Sequence, residues 1–231
     1  MTITTQPKIA FPTGEFWSDE PPWENNLHLQ QIMLLIQSLK WLWRERQDYF
    51  VSANLTIYYS SSQKKPKDFP GPDFFVVTGT TLDWTREGWI VWEEEGKYPN
   101  LIIELLSETT AKIDKGEKKQ IYQDIFRTPE YFWFDLKSLE LKGFVLINGK
   151  YQEITPTAEG KLRSDQLDLY LGVVERELRY FSPSEKLILT PEEVIQQRER
   201  TQQSQKLVQQ ERERAERLAA QLRALGIDPE A

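Results

Sequence analysis

A single glutamate inside an otherwise apolar segment constrains this chain more than any other feature. Glu104 lies within Leu101–Leu106, where every other residue is aliphatic, and such a run is typical of a fully buried β-strand. An unpaired carboxylate in that position would cost several kcal/mol of desolvation free energy. Glu104 therefore requires a metal ion, a cationic side chain or a proton as its partner.

A second acidic residue opens another apolar strand upstream. Asp73 precedes Phe74-Phe75-Val76-Val77, and we predict a strand from Asp73 to Thr78. Strand alternation places Asp73 on a face with Phe75 and Val77, and Glu104 on a face with Ile102 and Leu106. The sequence thus predicts two carboxylates on two buried strands.

A lysine on a helix supplies the third candidate. We predict a helix from about Lys112 to Phe126, on which Lys118 lies on the apolar side, whereas Lys112 and Lys119 point away. The residues that share the side of Lys118 are Asp114, Ile121, Tyr122 and Ile125. Two strand carboxylates and an inward lysine are the components of a metal-dependent phosphodiesterase site. The alternative is a buried Glu104–Lys118 salt bridge with a structural role only, although such pairs add little net stability.

Composition limits the classes of function. The 231 residues include no cysteine, which excludes disulfides and zinc–thiolate sites and fits a cytoplasmic protein. No signal peptide and no membrane-spanning run is expected. The net charge of −7 disfavours nucleic-acid binding without excluding it, because a local basic strip or bound metal ions can attract phosphates. The best basic patch is the loop Lys64-Lys65-Pro66-Lys67.

The order of elements predicts an α/β domain with a helical tail. Residues 1–24, rich in Pro and Trp, are expected to be an irregular lead-in, and residues 25–183 a layered domain that begins with a helix at Asn25 or Asn26. Further strands are predicted at Leu55–Tyr59 and Tyr131–Asp135. A hairpin is predicted around Asn148-Gly149, a pair that suits a type I′ turn.

Residues 184–231 are rich in Glu, Gln and Arg and predict a long helix. The heptad core positions of this helix are apolar only in its last third, and this is weak support for a free-standing coiled coil. Two interpretations remain: a helix that docks or self-associates, for example as a dimer, and a solvated, partly frayed helix.

The ordered string of site residues resembles a known family. It consists of Ile103-Glu104-Leu105-Leu106-Ser107, Thr110, Asp114, Lys118, Tyr122 and Pro129-Glu130-Tyr131-Phe132-Trp133-Phe134-Asp135. Together with Pro72-Asp73, this string is similar to the Uma-two family of endonucleases, within the PD-(D/E)xK superfamily. The similarity covers roughly residues 25 to 180. It implies a restriction-endonuclease-like fold, with a mixed central sheet flanked by helices.

The resemblance also implies an activity, namely metal-dependent hydrolysis of DNA phosphodiester bonds by an endodeoxyribonuclease. Asp73, Glu104 and the carbonyl of Leu105 would hold Mg²⁺ or Mn²⁺. The superfamily lysine usually stands two residues after the acid, where this chain has Leu106, so Lys118 is expected to replace it from the following helix. That displacement favours the rival hypothesis of a nuclease fold retained as a binding or assembly module with little catalysis.

Four further residues are weaker candidates. Glu24 is either an additional carboxylate of the site or a residue that favours the dipole of the first helix. His28, the single histidine, either lies near the cleft or serves at the surface or in helix packing, and the second interpretation is favoured. Ser107 and Thr110 are expected to cap the helix that carries Lys118.

Overall fold

The computed structural model describes residues 26–60, 71–107 and 109–224. The predicted lead-in with Glu24, and the basic loop at positions 64–67, lie outside these residues. The chain divides into two compact units, Met1–Ile188 and Leu189–Ala231.

The described part of the first unit contains two helices and eleven strands. The helix α1 spans Asn26–Leu42. The strands are β1 (Tyr49–Ser52), β2 (Ile57–Tyr58), β3 (Phe74–Thr78), β4 (Trp89–Ile90), β5 (Leu101–Leu106), β6 (Glu130–Asp135), β7 (Leu141–Ile147), β8 (Lys150–Glu153), β9 (Leu162–Ser164), β10 (Leu169–Val174) and β11 (Glu177–Phe181). Between β5 and β6 lies one helical stretch, α2, composed of Ala111–Ile113, Asp114–Lys118, Lys119–Ile121 and Tyr122–Phe126.

A mixed six-stranded sheet forms the centre, in the order β1-β3-β5-β6-β7-β8. Within this sheet, β5 and β6 form the parallel pair, because α2 provides the crossover between them. The other pairs are antiparallel. The predicted α/β class with a mixed central sheet is therefore confirmed. The strand β1 was not predicted, although it forms one edge of this sheet.

The two faces of the central sheet are buried by different helices. On one face α1 packs Ile32, Leu35 and Leu39 into a core that also includes residues of the small sheet β9–β11. The buried side chain of Gln31 accepts from the N–H of Leu178 and donates to its carbonyl, both at 2.9 Å, which fixes α1 against β11. The opposite face is covered by α2.

Helix α2 has two π-helical segments, Asp114–Lys118 and Tyr122–Phe126. Because π-helical turns are wider than α-helical turns, every fourth residue of this stretch faces the sheet. The buried residues are Asp114, Lys118, Tyr122 and Phe126. The prediction that Ile125 faces inward was wrong, since it is 46% exposed and Phe126 occupies that place. Regular helical periodicity cannot anticipate a change to i→i+5 hydrogen bonding.

The predicted hairpin is present between β7 and β8. Its turn residues Asn148 and Gly149 have φ angles of 51° and 79°, both in the left-handed region that a type I′ turn requires. The hairpin extends the sheet beyond β6.

The second unit contains one long helix, α3, which spans Pro191–Ala224. Its first turn is capped by a reciprocal pair, because Thr190 N–H donates to Glu193 at 2.7 Å and Glu193 N–H donates to Thr190 Oγ1 at 3.2 Å. Across the described residues, no helix has the length and apolar character needed to cross a membrane.

Candidate active site

The two predicted carboxylates meet where β3 begins. Phe74 lies opposite Ile103 in the antiparallel pair β3–β5, so the next position along places Asp73 opposite Glu104. The N–H of Asp73 donates to Oε2 of Glu104 at 3.1 Å. The pairing of two strands thus joins residues that are 31 positions apart in the sequence.

Lys118 reaches this point from α2. Its Nζ lies 3.0 Å from Oε1 of Glu104 and 3.1 Å from Oδ1 of Asp114. Tyr122, one turn further along α2, donates its hydroxyl to the same Oε1 of Glu104 at 2.5 Å. The spacing of four residues between Asp114, Lys118 and Tyr122 directs all three side chains toward β5. The structure therefore brings together Asp73, Glu104 and Lys118.

Burial dominates the electrostatics of this cluster. It raises the pKa of Glu104 well above its usual value, and the neighbouring negative charges of Asp73 and Asp114 act in the same direction. Burial alone would lower the pKa of Lys118, but the Glu104 and Asp114 carboxylates outweigh it and raise that pKa. Three carboxylates share one lysine, so the cluster has an excess of negative charge that a proton or a cation can offset.

Asp73 interacts with residues of both helical layers. Its Oδ2 accepts the main-chain N–H of Leu105 at 2.7 Å, and its Oδ1 lies 3.2 Å from Nε2 of His28 on α1. Burial would raise the pKa of Asp73, but the contact with His28 and the charge of Lys118 outweigh it and lower that pKa. The favoured expectation of a surface or helix-packing role for His28 missed this contact, whereas the alternative of a position near the cleft agrees with it. No local pattern around His28 signals a partner that follows so much later in the chain.

The start of α2 is held by a serine. The Oγ of Ser107 accepts the N–H of Thr110 at 3.1 Å, which supports the expected capping role of Ser107. Thr110 makes no capping hydrogen bond with its side chain, contrary to expectation, and its hydroxyl lies 3.1 Å from the Oγ of Ser107 instead. Ser107 and Thr110 thus bond each other just before α2 begins.

The donor set suits a magnesium ion better than a zinc ion. Within the described ranges, no three His, Cys, Asp or Glu side chains form a group able to hold a metal ion by themselves. Mg²⁺ needs fewer protein ligands, because it is commonly held by one or two carboxylates while water and substrate phosphate complete its coordination. Asp73 and Glu104 provide two carboxylates beside an excess of negative charge, and this combination fits such an ion.

Comparison with known proteins gives the family. Residues 1–179 match the sequence model of Uma2, which is described as "Putative restriction endonuclease". The chain belongs to the Uma2 family. This membership confirms the family resemblance found in the sequence and assigns the Uma2 chain to the restriction-endonuclease-like nucleases.

Other comparisons add little to the family assignment. The Uma2 chain is similar to a solved structure described as "a putative nuclease belonging to DUF820" from Anabaena variabilis ATCC 29413, with a TM-score of 0.46 and 9% sequence identity. That similarity covers 64% of this chain and 76% of the other. No curated protein matches the chain.

Proposed function

We propose that this Uma2 protein is a metal-dependent endonuclease that hydrolyses phosphodiester bonds in DNA, with Asp73, Glu104 and Lys118 as its catalytic residues. The observation that carries the proposal is the convergence of these three side chains in a chain of a restriction-endonuclease family. A buried cluster of this kind is poorly explained by stability alone, since apolar replacements of buried ion pairs are often neutral or stabilising.

The metal would be held by Asp73, Glu104 and the main-chain carbonyl of Leu105, with Mg²⁺ or Mn²⁺ as the ion. When bound, the ion supplies positive charge beside the scissile phosphate and acidifies a water molecule. The buried position of Glu104 keeps competing water away from its carboxylate and strengthens its interaction with any cation.

Lys118 acts as a cation in this proposal. Its raised pKa keeps the ammonium group protonated, so it stabilises negative charge that develops on the phosphate and does not serve as a base. Asp114 and Tyr122 act as positioning residues, because they hold Lys118 and Glu104 in place through the contacts described above. His28 holds the carboxylate of Asp73 in the same way.

Lysines on the outer part of α2 support DNA as the substrate. The Nζ of Lys115 lies 4.0 Å from the centre of the Trp133 ring, and Trp133 is the register partner of Glu104 on β6. The Nζ of Lys119 lies 3.3 Å above the ring of Phe144. These ammonium groups lie on the same helix as Lys118 and provide local positive charge in a chain whose net charge is −7.

A second candidate function is a binding or assembly module with little catalysis. One specific observation favours it: each carboxylate oxygen of Glu104 and Asp73 already has a hydrogen-bond or ion-pair partner within the chain. In that case the cluster would be a structural tie between β3, β5 and α2, and metal ions would leave the protein unchanged.

A plasmid-nicking assay separates the two functions. Wild-type protein and Glu104→Gln, purified identically, are incubated with supercoiled plasmid in Mg²⁺, in Mn²⁺ and in EDTA. The proposal predicts open-circular product only with wild type and a divalent ion. Glutamine keeps the size of the side chain but removes its charge, so equal nicking by both proteins would identify a contaminating nuclease and contradict the proposal.

A further inference from the structure

A cavity lies beside the carboxyl ends of the parallel strands β5 and β6. Its volume is about 750 Å³, which is within the range of small-molecule sites. The walls are mainly aliphatic and include Leu27, Leu105, Leu106, Ala111 and Leu136. Its polar lining includes the hydroxyl groups of Ser107, Thr109 and Ser138, together with Lys137.

The cavity is lined by two residues that contact Asp73. Leu105 and His28 both line it, and these two residues are also the ones that contact the carboxylate oxygens of Asp73. The side chain of Asp73 is 17% exposed, whereas that of Glu104 is fully buried. The lining of the cavity is therefore one residue away from the more exposed of the two carboxylates.

We infer that the cavity receives one unpaired nucleotide next to the scissile phosphate, so that the protein acts on single-stranded DNA in preference to duplex. This inference rests on the proposed function. Aliphatic walls match the flat faces of a base, and the hydroxyl and ammonium groups match the sugar and phosphate oxygens. A base within an intact duplex is stacked and paired, so it has to be extruded before it can enter.

The carboxylate of Asp135 also lines the cavity, but it is already used in the turn after β6. Its Oδ1 accepts the N–H of Lys137 at 2.9 Å and the N–H of Ser138 at 3.0 Å. These hydrogen bonds stabilise the turn that contains the cavity-lining residues Lys137 and Ser138, so the Asp135 carboxylate has a structural role at the cavity.

Fluorescence of 2-aminopurine tests this inference without requiring cleavage. A short oligonucleotide carries 2-aminopurine at each adenine position and is titrated in EDTA and in Ca²⁺, both single-stranded and annealed to its complement. Two variants fill the cavity from opposite sides, Ser138→Leu on the turn after β6 and Ala111→Leu on α2. Ser184→Leu is the matched control, because Ser184 is exposed and is not part of the cavity lining. Melting temperatures establish that all four proteins are folded.

The inference predicts that wild type and Ser184→Leu increase the fluorescence of the single strand, with a smaller change for the duplex. The increase should be lost in both cavity-filling variants. An unchanged increase in Ser138→Leu and Ala111→Leu, or no binding of the single strand by wild type in either solution, would overturn it. If the fluorescence results hold but wild type cuts no DNA, the subsite stands and the proposed hydrolysis fails. If all four proteins cut single strands equally well, the hydrolysis stands and the subsite falls.

Discussion

The ammonium group of Lys118 lies 3.0 Å from a carboxylate oxygen of Glu104, although 14 positions separate the two residues. The pair is nearly inaccessible, since the side chains are 9% and 0% exposed. Lys118 is therefore the partner that Glu104 requires in the middle of β5. Its second contact, with Asp114, leaves the cluster with more negative than positive charge, and the proposed metal binding depends on that excess.

Replacing Tyr122 with Phe removes the hydroxyl that donates to Glu104. The hydroxyl is buried and hydrogen-bonded to a charged group, so we expect a loss of about 1–3 kcal/mol in the free energy of unfolding together with slower nicking. Tyr131→Phe is the control, because that buried hydroxyl donates to the main-chain carbonyl of Asp114 at 2.9 Å and does not contact a catalytic carboxylate. Chemical denaturation and nicking rates should show similar destabilisation but slower cleavage only in Tyr122→Phe. If Tyr122→Phe and Tyr131→Phe lost the same fraction of nicking activity, the hydrogen bond from Tyr122 to Glu104 would have a structural role only.

Divalent metal should bind the folded protein and raise its melting temperature, because a ligand that binds only the native state stabilises it. Asp73→Asn should weaken Mn²⁺ binding in calorimetry and abolish the thermal shift. Asp124→Asn should retain both effects, since Asp124 is exposed and forms an ion pair with Lys150, which is not a residue of the candidate active site. Equal Mn²⁺ affinity in Asp73→Asn and wild type would remove the metal assignment.

Glu130 gives a pH dependence outside the candidate active site. Burial raises its pKa, even though its carboxylate accepts from Ser164 Oγ and from the N–H of Asp165 at 2.7 Å. A carboxyl group with a raised folded-state pKa stabilises the fold most below the unfolded pKa, and that contribution is lost as the pH rises through the folded pKa. The free energy of unfolding of wild type, relative to that of Glu130→Gln, should therefore decrease as the pH rises above 4.5, the ordinary pKa of a glutamate side chain. Denaturation at several pH values measures this difference, and a constant difference would show that the pKa is not raised.

Removal of residues from Pro191 onward should leave a folded first unit, because the eleven described strands and the candidate active site precede α3. Along α3, Leu207, Val208 and Leu218 are more than half exposed in the single chain. We expect such side chains to drive self-association, so truncation should lower the mass measured by light scattering. An unchanged mass would indicate that the tail is a solvated helix that does not drive self-association.

The sequence predicted the three central site residues because their signals are local. Continuous apolar runs in β3 and β5 identified buried strands around Asp73 and Glu104, and helical periodicity placed Lys118 inward. The contact of His28 with Asp73 could not be predicted, because it depends on how α1 packs at the strand end. The inward position of Phe126 depends on π-helical turns, whose hydrogen bonding leaves no periodic trace in the sequence.

The plasmid-nicking rate of Lys118→Met, measured beside Lys119→Met, tests the central claim most directly. Methionine retains an apolar stem that packs in the place of Lys118 but lacks the ammonium group. Loss of Lys118 leaves two buried carboxylates uncompensated, so a melting curve must accompany the assay. The half-buried Lys119 contacts the Phe144 ring instead, and its removal should alter only the salt dependence. We predict that folded Lys118→Met cuts no DNA while Lys119→Met still does. Nicking by Lys118→Met at the wild-type rate would contradict the assignment of Lys118 as a catalytic residue.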